Sequence, residues 1–367
     1  MKKESKVILG YKVERPFIIS GPCGAETEEQ VIETALELAK QPIHLMRAGI
    51  WKPRTRPNAF QGAGEVALEW VKQASKLTGI PVTVEVSNHK HVEAALKAGI
   101  DVLWIGARTT VNPFTVQEIA DSLHGVDIPI MIKNPVNPDL ELWIGAIERI
   151  AKAGIKNIAV IHRGFSSYEK TIYRNRPNWE IPIEFMRRMP EIPIICDPSH
   201  ICGKRELLLA VSQVAMDLNY DGLMIESHNN PDKALSDAKQ QITPLQLGEL
   251  LGKLICRSTS IDDILTLRMI EGLREKMDKI DFDILDLISK RMDIAKAIGQ
   301  YKKENNITIL QAERWDEVVQ NRMLTGLEKE LDKDFVKKLF EIIHQESINQ
   351  QTIIMNADTN EIKSTNS

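Results

Sequence analysis

Residues 80–110 read IPVTVEVSNHKHVEAALKAGIDVLWIGARTT, and their pattern decides how the first two thirds of the chain is read. Pro81–Val86 is a short run rich in β-branched residues that ends in polar ones. His91–Ala98 is an amphipathic stretch of helical period. Val102–Ala107 is a second apolar run, and it stops at Arg108. Strand, helix and strand follow one another within about thirty residues, the size of one βαβ unit.

The alternation extends in both directions. Apolar runs recur at Phe17–Pro22, His44–Gly49, Ile130–Asn134, Ile158–Arg163, Ile192–Cys196 and Gly222–Glu226. Helical stretches lie among them at Glu65–Leu77, Leu140–Ala153, Lys204–Met216 and Thr243–Ile255. Apolar strands covered by helices belong to a parallel sheet. Eight such units predict an α/β protein whose sheet closes into a (β/α)8 TIM barrel. The alternative is an open doubly wound sheet, but no Gly-x-Gly-x-x-Gly turn follows the first strand.

Beyond the barrel the composition changes. All 17 prolines lie at or before Pro244, and after Gly252 only Gly272, Gly299 and Gly326 remain. Proline stops helices and glycine weakens them, so the last third reads as long helices. The expected division is a barrel over 1–256, a linker over 257–263, an all-α three-helix domain over 264–355 and a disordered tail over 356–367. A chain of 367 residues has room for two such domains. Its 43% apolar and 27% charged residues exclude disorder as the dominant state. A net charge of -4 gives no basic signature for nucleic acid. No apolar run approaches the roughly 18 residues of a membrane span, and no secretory segment opens the chain. Four cysteines without a Cys-x-x-Cys pair read as cytoplasmic thiols, with Cys196 and Cys256 as core residues and Cys202 as a spectator.

Charged or reactive residues close almost every strand, where a barrel carries its active site. They form two chemical sets. Cys23, His200, Glu226 and Asp237 offer a thiolate, an imidazole and two carboxylates, a mixture suited to a divalent first-row transition ion. Arg47, Lys52, Arg54, Arg108, Lys133 and Arg163 are cations. Taken singly each reads as a salt bridge on the barrel rim. Six around one mouth would repel unless anions fill it, which points to phosphorylated acidic substrates.

Seven motifs in order carry a family resemblance: Gly21-Pro22-Cys23-Gly24, Lys52-Pro53-Arg54-Thr55, Gly106-Ala107-Arg108, Lys133-Asn134-Pro135, His162-Arg163-Gly164, Asp197-Pro198-Ser199-His200 and Asp237-Ala238-Lys239-Gln240. Over about residues 10–256 the chain resembles 3-deoxy-D-arabino-heptulosonate-7-phosphate (DAHP) synthase of the type I beta kind. The resemblance implies a metal, manganese first with iron, cobalt or zinc as alternatives, on Cys23, His200, Glu226 and Asp237. It implies phosphoenolpyruvate on Arg47, Lys52, Arg108, Lys133 and Arg163, and erythrose 4-phosphate on Arg54 and Thr55. Glu85 and Lys133 are the candidates to orient or deprotonate the water that adds to the enol phosphate. Arg56 departs from the small polar residue that relatives often carry. Many relatives also have an amino-terminal regulatory domain, where about sixteen residues precede the first strand here. The related octulosonate-phosphate synthases usually show Lys-Ala-Asn-Arg where this chain has Lys52-Pro53-Arg54-Thr55, which favours the four-carbon sugar.

The last third reads as helices over 264 onward, about 312–324 and about 334–354. Ile270, Leu273, Met277, Ile280, Ile284, Leu287, Ile288, Ala295 and Ile298 recur at three- and four-residue steps. Arg291, Lys302, Ser347 and Gln351 fall on the apolar faces, where burial is costly unless a partner is supplied. An internal hydrogen-bond network or an anion pocket would supply one. Arg274 precedes Arg291 by seventeen residues, about 25 Å along a straight helix, so both can grip one small ligand only if Arg274 comes from a second copy. A homodimer or larger assembly through this domain is the expectation. Leu273-Arg274-Glu275-Lys276, Asp278, Asp281, Arg291, Lys302, Glu313-Arg314, Ser347 and Gln350-Gln351 resemble the all-helical chorismate mutase over about residues 265–355. That resemblance gives Arg274 to the partner's pocket, Arg291 and Lys302 to the carboxylates and ether oxygen of chorismate, and Arg314, Ser347 and Gln351 to the rest of the pocket. Gln311 and Trp315 depart from the usual Asp and Glu. The chain thus reads as a bifunctional enzyme of aromatic amino-acid biosynthesis. The alternative is a synthase alone, with a helical sensor or dimerisation module. Prephenate or chorismate in the helical pocket is the expected inhibitor of the barrel.

Overall fold

A computed structural model of the chain describes residues 5–52, 60–257, 263–310 and 312–364. It divides into two compact units, Met1–Thr259 and Ser260–Ser367.

The first unit begins with a hairpin, β1 (Ser5–Ile8) and β2 (Tyr11–Glu14). Strands and helices then alternate: β3 (Phe17–Gly21), α1 (Glu28–Leu38), β4 (Leu45–Ala48), α2 (Val66–Thr78), β5 (Val82–Val86) and α3 (His89–Lys97). Next come β6 (Val102–Ile105), α4 (Ala107–Thr110), α5 (Pro113–Ser122), β7 (Ile130–Lys133), α6 (Leu140–Lys152), β8 (Ile158–His162) and α7 (Glu180–Arg188). The unit ends with β9 (Ile194–Cys196), α8 (Pro198–Cys202), α9 (Leu208–Asp217), β10 (Gly222–Glu226) and α10 (Pro244–Lys253). Strands β3 to β10 pair in parallel and close, β10 lying between β9 and β3. The expected eight-stranded barrel is therefore present.

Strand period divides the barrel residues into two cores. Val82, Val84 and Val86 of β5, like Ile130 and Ile132 of β7, face the surrounding helices. Ile19, Leu45, Trp104, Met131, Ile161, Ile195 and Met224 form a second cluster inside the barrel. The hairpin was not foreseen in the sequence. Its Ile8 and Leu9 belong to that interior cluster and are 1% and 4% exposed, so the hairpin plugs one end of the barrel. Arg15 fixes it, donating from Nε to the Tyr220 carbonyl (2.6 Å) and from Nη2 to the Met216 carbonyl (2.7 Å).

The second unit contains α11 (Ile264–Glu304), α12 (Ala312–Glu328) and α13 (Lys333–Ser364). The last helix extends to Ser364, nine residues past position 355. Asp263 starts α11 by accepting from the Leu265 and Thr266 amides. At 41 residues α11 is roughly 60 Å long, yet only Met292, Ala295 and Gly299 are buried on it. Gly299 lets α13 approach closely, since a Cβ there would stand 3.1 Å from Gln351 Cα. Toward the start of α11 the predicted stripe is exposed: Leu273, Met277, Ile280 and Leu287 are each more than half accessible. Cys196 and Cys202 are buried, but Cys256 is exposed, because α10 ends at Lys253 before reaching it. Among the described residues, no helix is long and apolar enough to cross a membrane.

Candidate functional site

In β4, β7 and β10 the inward apolar residue is followed, two places on, by a charged one: Leu45 by Arg47, Met131 by Lys133 and Met224 by Glu226. Alternation places those charges on the same inner face, at the carboxyl end of each strand. Arg47, Lys133 and Glu226 are 2%, 4% and 0% exposed. Arg47 Nη2 lies 3.3 Å from Glu226 Oε1, and Lys133 Nζ donates to Asp197 Oδ2 at 2.7 Å. Below both cations lies the buried indole of Trp104, with Arg47 Cζ 5.1 Å and Lys133 Nζ 6.0 Å from the ring centre.

Asp197 also builds the turn that presents His200. Its side chain accepts from the His200 amide (3.0 Å) as N-cap of α8, Pro198 occupies the first turn, and Gly203 ends the helix in the left-handed region. His200 Nδ1 lies 2.8 Å from Asp197 Oδ2, and its Nε2 is 3.8 Å from Glu226 Oε1. Burial would raise the Asp197 pKa, but His200 and Lys133 hold it well below the usual carboxylate range. Glu226 is lowered in the same way, its burial outweighed by His200 and Arg47.

Cys23, Glu226 and Asp237 bring one donor atom each within 4.8 Å of one another. Cys23 Sγ is 3.2 Å from Asp237 Oδ2, and Lys52 Nζ sits 2.9 Å from the sulfur and 2.6 Å from the Cys23 carbonyl. Burial, helped by Glu226, pushes the Cys23 thiol up to about 12. Asp237 adopts φ +52°, a conformation that a non-glycine residue holds only when its surroundings fix it. Arg174 donates to its Oδ1 at 3.0 Å, and with His200 this outweighs burial and keeps the carboxyl low. Glu226 Oε1 is buried without a hydrogen-bond partner. A carboxylate oxygen that accepts no hydrogen bond and is held only by ion pairs with Arg47 and His200, beside a thiol and a second carboxylate, fits a soft-to-borderline divalent ion. Three of the four expected donors therefore meet, with His200 at the edge of the set.

Arg163 is 8% exposed, donates to Asn175 Oδ1 (2.7 Å), and is lowered to about 10 by burial. Arg108, at the start of α4, is exposed, and its charge reaches Arg163. Glu85, next to last in β5, packs against Gly106, where a Cβ would stand 1.9 Å from Glu85 Oε1. His162 turns the other way and bonds the Pro177 carbonyl and the Tyr220 hydroxyl. Arg54, Thr55 and Arg56 lie outside the described residues.

In the helical unit a cavity of about 410 Å³ is lined by Arg291, Lys302, Trp315, Arg322, His344, Ser347 and Gln351, together with apolar residues. Arg291 donates to Ser347 Oγ and to the Ile343 carbonyl, and Lys302 to the Ile309 carbonyl (2.6 Å). Gln351 Oε1 is buried and unpartnered. Trp315 stacks on His344 at 3.8 Å, and burial together with Arg291 and Lys302 lowers the His344 pKa. Arg274 is exposed on α11, as distant from Arg291 as its spacing requires. Gln311 and the Arg314 side chain are outside the described residues.

Residues 1–260 match the DAHP synthetase I family. The chain belongs to that family. Residues 273–352 match chorismate mutase type II. The chain is 33% identical over 225 residues to phospho-2-dehydro-3-deoxyheptonate aldolase of Thermotoga maritima, a match taking in 61% of this chain and 64% of that protein. It thus spans just under two thirds of that relative's length. The 2-dehydro-3-deoxyphosphooctonate aldolase of Francisella tularensis subsp. holarctica (strain LVS) is 27% identical, over 65% of this chain and 90% of that one. A crystal structure of the T. maritima DAHP synthase matches with TM-score 0.61 at 31% identity, covering 69% of this chain and 73% of that one. A truncated form of the T. maritima synthase gives 0.59 at 28% identity, covering 69% and 91%.

In this DAHP synthetase I family barrel, residues to which the sequence reading gave no role complete the charge arrangement. Asp197 sits in the Asp197-Pro198-Ser199-His200 motif, but its joint hold on Lys133 and His200 shows only in the fold. Trp104 reads as core in an apolar strand, and Arg174 sits in a loop with no pattern. Replacing Gly106 by alanine should displace Glu85 and cost about 1–3 kcal/mol of unfolding free energy in urea. Unchanged stability would mean that Glu85 moves freely.

Proposed function

We propose that the barrel condenses phosphoenolpyruvate with erythrose 4-phosphate to give DAHP and phosphate, and that the helical unit rearranges chorismate to prephenate. The observation that carries the first reading is a buried cation set beside a three-donor cluster suited to a divalent ion. Arg47, Lys52, Arg108, Lys133 and Arg163 would hold the phosphate and carboxylate of phosphoenolpyruvate, offsetting its charge and orienting C3. Arg54 and Thr55 would hold the aldose phosphate. Cys23, Glu226 and Asp237, with His200, would bind the metal, manganese first among iron, cobalt and zinc. When bound, the ion supplies Lewis acidity toward the aldehyde carbonyl. C3 attacks the aldehyde carbon, whose oxygen takes the carbonyl electron pair and a proton; water adds at the cationic C2 and gives up one proton, and the C2 hydroxyl then loses its proton as the C2–O bond breaks, leaving a ketone and free phosphate. Lys133, already donating to Asp197, acts as a cation, which leaves Glu85 to take the proton of the water.

The second reaction is a unimolecular rearrangement and calls for no metal, acid or nucleophile. Arg291, Lys302, Ser347 and Gln351 would hold a compact dianionic conformer and stabilise charge as it separates. Arg314 would join them. Arg274 would enter from a second copy, whose α11 covers the exposed heptad stripe through Leu273, Met277, Ile280 and Leu287. Both activities belong to the cytoplasm on this reading. Trp315, stacked on His344 where relatives have Glu, favours the alternative of a helical module that senses without turning over.

Chelation should stop release of phosphate from the two sugar-pathway substrates and leave chorismate absorbance loss unchanged, assayed on the same full chain. Chorismate loss no faster than background would support the sensor reading instead. Arg274→Ala and Arg291→Ala should each abolish mutase turnover. Mixed and allowed to exchange subunits, they should recover about a quarter of the parent rate, since each mixed dimer holds one intact pocket. No recovery despite exchange would place Arg274 outside the partner's site. Prephenate or chorismate bound between the helices would also inhibit the barrel through coupling of the two units. Arg291→Ala should then remove that inhibition, measured as synthase rate against added prephenate.

A further inference from the structure

Gln240 and Gln241 are adjacent, uncharged and 1% and 0% exposed, in the segment that follows Asp237. Gln240 Nε2 donates to Glu226 Oε2 at 2.7 Å, and its Oε1 accepts from Arg174 Nη1 at 2.7 Å. The same Arg174 nitrogen donates to Asp237 Oδ1. Gln241 Oε1 accepts from the Cys23 amide at 2.9 Å, and its Nε2 donates to the Ser236 carbonyl at 2.9 Å. Each amide orientation is forced. A guanidinium and a backbone N–H only donate, while a carboxylate and a carbonyl only accept. Each site therefore requires one donor and one acceptor at the end of a side chain of this length. A glutamate at 240 would face Glu226 with like charge, and an aliphatic residue would leave buried groups unpaired.

Gln240 bonds Glu226 directly and reaches Asp237 through Arg174, while Gln241 bonds the Cys23 backbone. Gln240 fixes Glu226 by holding its Oε2, while Oε1 accepts no hydrogen bond and ion-pairs with Arg47, and it tethers the Arg174 that holds Asp237. Gln241 ties the Cys23 backbone to the residue before Asp237. We propose that Gln240 and Gln241 are positioning residues that set the geometry of the metal donors. This rests on the metal reading of the cluster.

The test uses the full chain, freed of metal, with Mn²⁺ and Co²⁺ as probes. Gln240→Met should weaken Mn²⁺ binding about 10–100-fold, as loss of a ligand's outer partner does elsewhere. Urea unfolding of the metal-free protein separates this from a loss of fold, and should change far less than the Mn²⁺ affinity. Gln241→Met should shift or weaken the thiolate-to-cobalt charge-transfer band, which reports on Cys23. Gln240→Asn, which keeps the amide but shortens its reach, should fold and still bind Mn²⁺ more weakly than the parent. Parent-like Mn²⁺ affinity and cobalt spectrum in folded variants would overturn the inference, as would a drop in metal-free stability large enough to account for the whole effect. Failure of the parent itself to bind either ion would overturn the metal reading, and this inference with it.

Discussion

Charge at the centre of this barrel is tolerated because Arg47 and Lys133 each have a partner placed by a different strand. Arg47 meets Glu226, and Lys133 meets Asp197. Removing one member of such a pair leaves the other uncompensated in a medium that screens poorly, at a cost of several kcal/mol. The pairs are therefore mutual conditions: β4 and β10, or β7 and the end of β9, must both be in register for either charge to be held. Trp104 belongs to the same constraint. Its ring gives Arg47 and Lys133 a flat, weakly negative face where water would otherwise be needed.

Much of this was legible from strand period. A charged residue two places after an apolar one, as in Leu45 to Arg47 or Met131 to Lys133, stands out because core strands seldom carry charge. The barrel was legible for a related reason, since uniformly apolar runs between helices have few other uses. What the pattern missed was whatever depends on proximity across the barrel or carries no charge. Trp104 is indistinguishable from a packing residue until Arg47 and Lys133 are seen above it. Gln240 and Gln241 are neutral residues in a loop, and only their partners give them meaning. The β1–β2 hairpin escaped because four-residue strands containing lysine leave almost no periodic signal. In the helical part the period fixed α11 and its apolar stripe, but periodicity does not say what covers a stripe.

The two units solve opposite problems with the same residue types. In the barrel, Arg47 and Lys133 stay buried because fixed carboxylates face them. In the helical cavity Arg291, Lys302 and Arg322 line the wall, and Arg291 and Lys302 rest on hydroxyl and carbonyl oxygens. Neutral dipoles hold a cation in place without satisfying its charge, so that cavity retains a positive field toward whatever enters. The His344 ring, its pKa lowered by burial and by those cations, adds a polar edge to the wall.

The closure of β10 on β3 has a kinetic side. Ser20 and Ile225, bonded across that seam, are 205 residues apart in sequence. Joining them carries the largest loop-closure cost among the barrel's strand pairs, so this seam tends to form late. Cys23 lies just past one side of the seam, and Glu226 and Asp237 lie on or just past the other. A partly folded barrel missing only this seam would therefore hold no complete donor set. An ion that requires all three would bind only after the last strands meet, and its binding would then draw the folding equilibrium toward the closed barrel.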